Sequence, residues 1–186
     1  MNICKTDRLI LRPLQKDDSA FIFRLVNESS FIENIGDKGV RDLEGAWQYI
    51  LQGPMKSYDV NGFGLWLVAL KDSLTPIGIC GLVKRDGLDD PDIGYAFLPE
   101  FWKQGYAVEA AAQTLIFAKE NLDIQRVVAI TSPDNHDSIR VLNKIGLQFE
   151  KMILLPGASV ESRFFSSALG SADARGERKY YEENQY

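Results

Sequence analysis

The sequence predicts one mixed α/β domain with a mostly antiparallel central sheet flanked by helices. Three observations predict this fold. The chain has 186 residues, 45% hydrophobic and 25% charged, which suits a single globular domain. Hydrophobic spacing alternates between helical and strand periods along the chain. One short apolar segment lacks polar alternation, as a strand buried on both faces does. We expect the order β-α-α-β-β-β-α-β-α-β-β over residues 1–169, followed by a polar extension over 170–186.

The first third of the chain is predicted to hold one strand and two helices. Charged and aliphatic residues alternate over residues 8–12, which is typical of a strand, and Pro13 is expected to end it. Asp17 and Asp18 can cap an amphipathic helix that runs to residue 26. After a predicted loop over residues 27–39, a second helix begins near Leu43, and Gly53-Pro54 is expected to end it.

The middle of the chain predicts an antiparallel meander followed by a long helix. Turn-forming residues separate three strand-like segments, at residues 63–70, 77–83 and 93–98. Alanine and leucine then recur at helical spacing over residues 105–121.

The last part of the domain is predicted to contain three strands and one short helix. Residues 126–131 are the apolar segment buried on both faces. A helix over residues 138–145 closes at Gly146, and residues 147–155 and 161–169 supply the last two strands.

Composition excludes several classes of function. The net charge of −5 argues against a protein that holds nucleic acid or an anionic membrane by bulk charge. Two cysteines and the single His136 provide neither a disulfide framework nor a zinc ligand set. We therefore expect no metal, no nucleic-acid or membrane partner, no export signal and a cytoplasmic location.

The segment from Phe101 to Ala110 carries the chemistry. It joins a predicted strand to a helix start, where unpaired backbone N–H groups can bind phosphate. Gly105 would let the backbone approach a ligand closely, and Ala107 keeps the next position small. Neither a Walker-type loop nor a Gly-x-Gly-x-x-Gly string is present. Taken alone, Gly-x-Ala is equally consistent with an ordinary helix start.

Several motifs around this segment fit one family. The first motifs along the chain are Arg8-Leu-Ile-Leu-Arg-Pro13 and Ile93-Gly-Tyr95. Next come Phe101-Trp102, Gly105-Tyr106-Ala107 and Glu109-Ala110. The last motif is Asn135-x-x-Ser138-x-x-x-Leu142-x-Lys144-x-Gly146. In this order and spacing, the sequence resembles the GNAT superfamily of N-acetyltransferases. It resembles specifically the RimJ/RimL-type branch, which acetylates N-terminal amines of ribosomal proteins. The resemblance covers residues 6–152.

The resemblance implies acetyl-CoA as cosubstrate and a set of residues that bind it. Backbone amides around Gly105 would cradle the pyrophosphate. The strand before them would diverge from its neighbour, with a bulge at Gly94, and pair with the pantetheine arm. Lys103 could meet a phosphate, or it could be an ordinary solvated charge. The expected cofactor-binding residues are Phe97, Leu98, Lys103, Gln104, Gly105, Tyr106, Ala107, Val108, Asn135 and Ser138.

The resemblance also implies direct attack of an amine on the thioester, with an acid that protonates the departing thiolate. Leu142 stands where many family members have a tyrosine acid, so Ser138 is the candidate acid; alternatively, it caps a helix. Asp92 and Glu109 are the candidate bases, although a carboxylate such as Glu109 in a first helical turn is also normal for dipole reasons.

The predicted function is acetyl-CoA-dependent acetylation of a primary amine. The resemblance implies a protein or peptide N-terminal α-amino group as the acceptor. Such a group, with a pKa of about 7.7–8.0, needs less help from a base than a lysine, with a pKa of about 10.4. The alternatives are a small amine, such as an aminoglycoside or polyamine, and a catalytically silent CoA-binding module. The sequence leaves open a monomer or a homodimer, and the role of the extension.

Overall fold

The computed structural model describes residues 3–168, so the polar extension and the end of the last predicted strand lie outside the described residues. Eight strands and six α-helices form this part of the chain. Their bounds are β1 (Cys4–Lys5), β2 (Leu9–Pro13), α1 (Ser19–Val26), α2 (Ser29–Ile35), α3 (Leu43–Ile50), α4 (Lys56–Asn61), β3 (Leu65–Leu70), β4 (Pro76–Val83), β5 (Asp92–Phe97), α5 (Tyr106–Leu122), β6 (Arg126–Thr131), α6 (His136–Lys144), β7 (Gln148–Ile153) and β8 (Ser162–Ala168).

The strands form one sheet in the order β1-β2-β3-β4-β5-β6-β8-β7. Every neighbouring pair is antiparallel except β5 and β6, which are parallel. The predicted mixed, mostly antiparallel sheet and its central meander are therefore confirmed. β5 and β6 pair only where Asp92 faces Val128, so the two strands meet at one end and separate beyond it.

Helices cover both faces of this sheet. Trp66 and Val68 of β3 belong to the same buried cluster as alanines of α5, whereas Leu67 and Ala69 belong to a second cluster with α1 and α3. Alternate residues of a strand point to opposite faces, so the period-2 pattern of β3 feeds two separate cores. Within residues 3–168, no helix is long and apolar enough to cross a membrane.

Two predictions about the N-terminal helices were wrong. The predicted loop over residues 27–39 contains α2, whose Phe31 is buried in the core against α1 and α3. The second predicted helix also continues past Gly53-Pro54, as a π-helical segment (Leu51–Met55) that leads into α4. Proline lacks a backbone donor, and the wider π turn accommodates that loss without ending the helix.

The bulge expected at Gly94 is absent from the β4–β5 ladder. Gly94 faces Gly81, and the register runs unbroken from Asp92 to Phe97. A Cβ at Gly94 would lie 3.3 Å from Leu65 Cδ2 and 3.4 Å from Val83 Cγ2. The glycine therefore serves close packing against these side chains, and β5 separates from β6 without a register shift against β4.

Candidate active site

A cleft of about 1290 Å³ opens where β5 and β6 separate. The first turn of α5 and the start of α6 contribute to its wall, as do α2 and the loop after it. Beyond Asp92, β5 has no ladder partner on its β6 side among the described residues. The Phe97 carbonyl at the end of β5 already accepts a hydrogen bond from Trp102 Nε1 at 2.7 Å. The unpaired backbone groups before it on the β6 side are the ones with which an extended ligand can pair.

The turn before α5 presents unpaired backbone donors to this cleft. Lys103 and Gly105 both have positive φ, 60° and 83°. No backbone amide from Lys103 to Val108 donates to another residue within the described chain; the Glu109 amide is the first to bond, to the Gly105 carbonyl at 3.0 Å. Positive φ values alternating with ordinary ones point successive N–H groups toward one side, and the helix dipole adds to their attraction for an anion.

Arg8 supports this turn from behind. Its Nη1 donates to the Gln104 carbonyl at 2.9 Å, and its Nε donates to Glu109 Oε2 at 2.7 Å. The guanidinium also lies over the Tyr106 ring, 4.5 Å from the centroid. A Cβ at Gly105 would be 3.2 Å from Arg8 Nη2. Arg8 is part of the N-terminal motif, but the sequence predicted no separate role for it. It lies 96 positions from Gln104 in the chain, and only the fold brings the two residues together.

Glu109 is occupied by the same contacts. Its Oε1 accepts hydrogen bonds from Thr6 Oγ1 at 2.5 Å and from the Arg8 amide at 3.1 Å. The carboxylate therefore faces the β1–β2 connection, and Glu109 does not line the cleft. This placement ties α5 to the start of the sheet and argues against the base role considered for Glu109.

The expected cofactor residues divide into those that line the cleft and those that do not. Phe97, Lys103, Gly105, Tyr106, Ala107, Val108, Asn135 and Ser138 line it. Gln104 turns its side chain to the Glu100 carbonyl, 2.9 Å away, although its amide remains free within the described chain. Leu98 corrects the prediction more strongly: its side chain is 1% exposed in the core, its amide donates to Ile77, and its carbonyl accepts from Phe101.

The start of α6 brings two hydroxyl groups together in the cleft. Asn135 caps the helix, its Oδ1 accepting from the Ser138 amide at 2.9 Å, so Ser138 is not the cap. The Tyr95 hydroxyl lies 2.9 Å from Ser138 Oγ and 3.2 Å from the Ser138 carbonyl. Burial raises the pKa of the Tyr95 hydroxyl above its ordinary value, which keeps it protonated. Sequence reasoning assigned Tyr95 no role, because its partner lies 43 positions away.

Asp92 lies at the point where β5 and β6 meet. It is 1% exposed, and both Nε and Nη2 of Arg85 lie 2.8 Å from its Oδ2. Its Oδ1 is buried and makes no hydrogen bond within the described residues. Burial raises the pKa of the Asp92 carboxyl to about 6, although the charge of Arg85 and its hydrogen bond favour the charged form. A carboxyl group with that pKa can accept a proton near neutral pH.

Comparison with known proteins gives a consistent result. The profile of the acetyltransferase (GNAT) domain family matches residues 8–148. The chain is 30% identical to the uncharacterized protein YkkB of Bacillus subtilis over 80% of this chain and 86% of that protein. It is 28% identical to the uncharacterized N-acetyltransferase YoaA of the same organism, over 81% and 85% of the two chains.

Solved structures show the same fold. A GNAT-family acetyltransferase from Bacillus anthracis superposes with a TM-score of 0.77 at 24% identity, over 92% of this chain and all of that one (100%). RimL, a ribosomal L7/L12 alpha-N-protein acetyltransferase solved in complex with coenzyme A, superposes with a TM-score of 0.76 at 18% identity, over 90% and 98%. The matching profile and the relatives together show that this chain belongs to the GNAT family of N-acetyltransferases.

Proposed function

We propose that the acceptor of this acetyl-CoA-dependent N-acetyltransferase is an α-amino group, such as a protein or peptide N-terminus. The observation that carries the proposal is the cleft itself. Free amides at the start of α5, an unpaired β5 edge and the buried Asp92 carboxyl all face one cavity within the described residues. They would hold a phosphate, an amide-containing arm and an attacking amine, in that order along the cleft.

The cofactor end fits a pyrophosphate and pantetheine. The amides from Lys103 to Val108 would donate to the pyrophosphate oxygens. The free edge of β5 would pair with the pantetheine amides as an added strand does. Asn135 uses Oδ1 for its cap and keeps its Nδ2 donor for the ligand. Bound acetyl-CoA supplies the activated acetyl group, and these residues orient it.

Asp92 is the proposed base. A carboxylate whose pKa is about 6 would take a proton from an α-ammonium group, whose pKa is about 7.7–8.0, at a cost of about 2–3 kcal/mol. Deprotonating a lysine ammonium, with a pKa of about 10.4, would cost about 6 kcal/mol in the same step. This difference of about 3 kcal/mol favours an α-amino acceptor over a lysine side chain.

Ser138 is the proposed acid, with Tyr95 as its positioning residue. The single proton of the Tyr95 hydroxyl can go to the Ser138 carbonyl or to Ser138 Oγ, and in the second arrangement the serine proton is free to point into the cleft toward the departing thiolate. Ser138 and Leu142 are four residues apart and share one helix face, so the hydroxyl lies one turn before the position of the family's tyrosine acid.

Calorimetry and an acceptor screen test the proposal. The protein should bind acetyl-CoA at tens of micromolar protein, and peptides with a free N-terminus should trigger release of the CoA thiol. Mass spectrometry of the product should place the acetyl group on the α-nitrogen. Acetylation of polyamines or aminoglycosides alone would overturn the acceptor assignment, and binding without turnover on any amine would identify a silent CoA-binding module.

A further inference from the structure

Lys38, Arg85 and Asp92 all line the cleft, and the part of the wall that they form is called its acceptor end; the first two of these side chains are cationic. Lys38 lies in the loop after α2 and Arg85 follows β4. Partial desolvation, and then the neighbouring Arg85 charge, lower the pKa of the Lys38 ammonium. Both cations line the same cavity as Asp92. The polar contact of Lys38 Nζ within residues 3–168 is the Ile35 carbonyl, at 3.4 Å, and no carboxylate pairs with it there.

The carboxylate adjacent to Lys38 in the chain is already used. Asp37 Oδ1 accepts from the Gly39 amide at 2.8 Å and from Arg41 Nη1 at 3.0 Å. These bonds close a tight turn around Lys38, in which Gly39 has a φ of 69°. The turn fixes the backbone on both sides of Lys38 while Arg41, rather than Lys38, neutralises Asp37.

Arg85 and Asp92 leave complementary groups unsatisfied. Arg85 spends Nε and Nη2 on Asp92 Oδ2, and its Nη1 makes no hydrogen bond within the described residues. Asp92 Oδ1, on the other side of the carboxyl group, is buried without a partner in the same part of the chain. A buried polar atom without a partner costs free energy that a ligand can recover. Asp92 Oδ1 is an acceptor that can pair with an N–H donor of a ligand. Arg85 Nη1 is a donor that can pair with an anionic group of a ligand.

We propose that the acceptor molecule carries a carboxylate beside its amine, with the amine facing Asp92 Oδ1 and the carboxylate held between Lys38 and Arg85. The inference rests on the proposed function and names the substrate class of that site. The shared chemistry is an α-amino group with a nearby carboxylate, which a free α-amino acid or a peptide beginning with Asp or Glu supplies. The opposite end of the cleft has a different arrangement, because its anion site is built from backbone amides.

Matched acceptor pairs provide the test. Thiol release is measured with free amino acids against their α-carboxamides, and with peptides beginning with Asp or Glu against those beginning with Asn or Gln. In at least one series, the carboxylate member should have a kcat/KM about 10- to 100-fold higher, the effect of a charge-assisted hydrogen bond. The series that shows the difference identifies the source of the carboxylate.

Variants locate the effect. Lys38→Gln should bring the ratio within each pair toward one by raising KM for the carboxylate member, and Lys38→Glu should reverse the preference. Glu33→Gln is the matched control, since Glu33 lines the same end of the cleft as an exposed carboxylate. It should leave the preference intact or increase it.

The outcomes separate the two proposals. Equal turnover of carboxylates and amides, or a preference that Lys38→Gln leaves unchanged, would overturn the carboxylate site and leave the acetylation of α-amines standing. If acetyl-CoA binds but no amine is acetylated, the proposed function fails. Calorimetric titration of the CoA-loaded protein with each acceptor pair then decides the carboxylate site separately, because the carboxylate members must bind more tightly and must lose that advantage in Lys38→Gln.

Discussion

The two ends of the cleft present polar and charged groups of different kinds. At the cofactor end, the donors are backbone amides of consecutive residues, from Lys103 to Val108. At the acceptor end, the charged groups are the side chains of Lys38, Arg85 and Asp92, which come from three separate segments. An acidic protein with a net charge of −5 can therefore bind a polyanionic cofactor without a basic patch. The proposed selectivity for the acceptor would depend instead on how the fold arranges side chains.

The largest expected effect is the loss of acetyl-CoA binding when Gly105 is substituted. Gly105→Val places a β-branched residue at a φ of 83° and its Cβ 3.2 Å from Arg8 Nη2. Displacing three phosphate-binding amides at about 1.5–3 kcal/mol each would weaken acetyl-CoA binding by at least about 1000-fold, which calorimetry would record as no binding.

Gly146→Val is the matched control for backbone strain. Gly146 has a φ of 87° at the end of α6, and the space that a Cβ there would occupy is open. The variant should lose about 1–2 kcal/mol of stability to strain, as Gly105→Val does, and still bind acetyl-CoA. Normal binding by Gly105→Val would place the pyrophosphate elsewhere.

Removing the paired hydroxyls should affect turnover rather than binding. Ser138→Ala should lower kcat by about 100- to 10,000-fold, the usual contribution of a general acid, with little change in the KM for acetyl-CoA. Tyr95→Phe should lower kcat by a smaller factor, because Ser138 keeps its own proton and loses only orientation. If Tyr95→Phe were the more damaging substitution, the tyrosine itself would be the acid.

Asp92 should give the acceptor end its pH dependence. Because burial raises the pKa of the Asp92 carboxyl to about 6, the group is protonated below that pH and cannot accept a proton. The kcat/KM of the native protein should therefore fall as the pH is lowered through about 6. Asp92→Asn should lower kcat/KM by about 100-fold at neutral pH, the low end for a general base, and flatten this acid limb.

Asp90→Asn is the control for that experiment. Asp90 lies in the connection between β4 and β5, two residues before Asp92. Its carboxylate pairs with Arg126 at 2.8 Å and is partly exposed. It should leave the rate and the pH profile unchanged. An acid limb that persists in Asp92→Asn would assign the base to another group.

The smallest effect is expected from the contacts behind the phosphate turn. Arg8→Ala removes the bonds to Gln104 and Glu109, which hold the turn from behind and would not themselves touch the cofactor. It should raise the KM for acetyl-CoA by about 10-fold, equivalent to about 1.4 kcal/mol, while kcat is kept. Glu109→Gln should behave in the same way. A lowered kcat with a shifted pH profile in Glu109→Gln would instead restore the base role predicted for it.

Arg24→Ala is the comparison for Arg8→Ala. Arg24 pairs with Glu100 at 2.5 Å near the same turn, but both side chains are about half exposed. An exposed ion pair contributes about 0–1 kcal/mol, so the KM should change by less than about 5-fold.

Most of the fold could be predicted because its elements follow local patterns. Residues 126–131 form a strand with the predicted bounds, since an apolar segment without alternation has few other solutions. The helix α2 could not be predicted in the same way. Its sequence is rich in Ser, Asn and Glu, and it is stabilised by the burial of Phe31, which depends on the positions of α1 and α3.

The sequence by itself predicted the family, the strands of the sheet and the turn proposed to bind phosphate, because each rests on short motifs of residues that are neighbours in the chain. Only the tertiary structure decided which side chains share the cleft. It turned Glu109 toward Arg8, buried Leu98, brought Tyr95 to Ser138 and placed Lys38 near Arg85. These outcomes depend on burial and on contacts between distant segments. When the hydrogen-bonding or charge partner of a side chain comes from a distant segment, no local sequence pattern predicts the pairing.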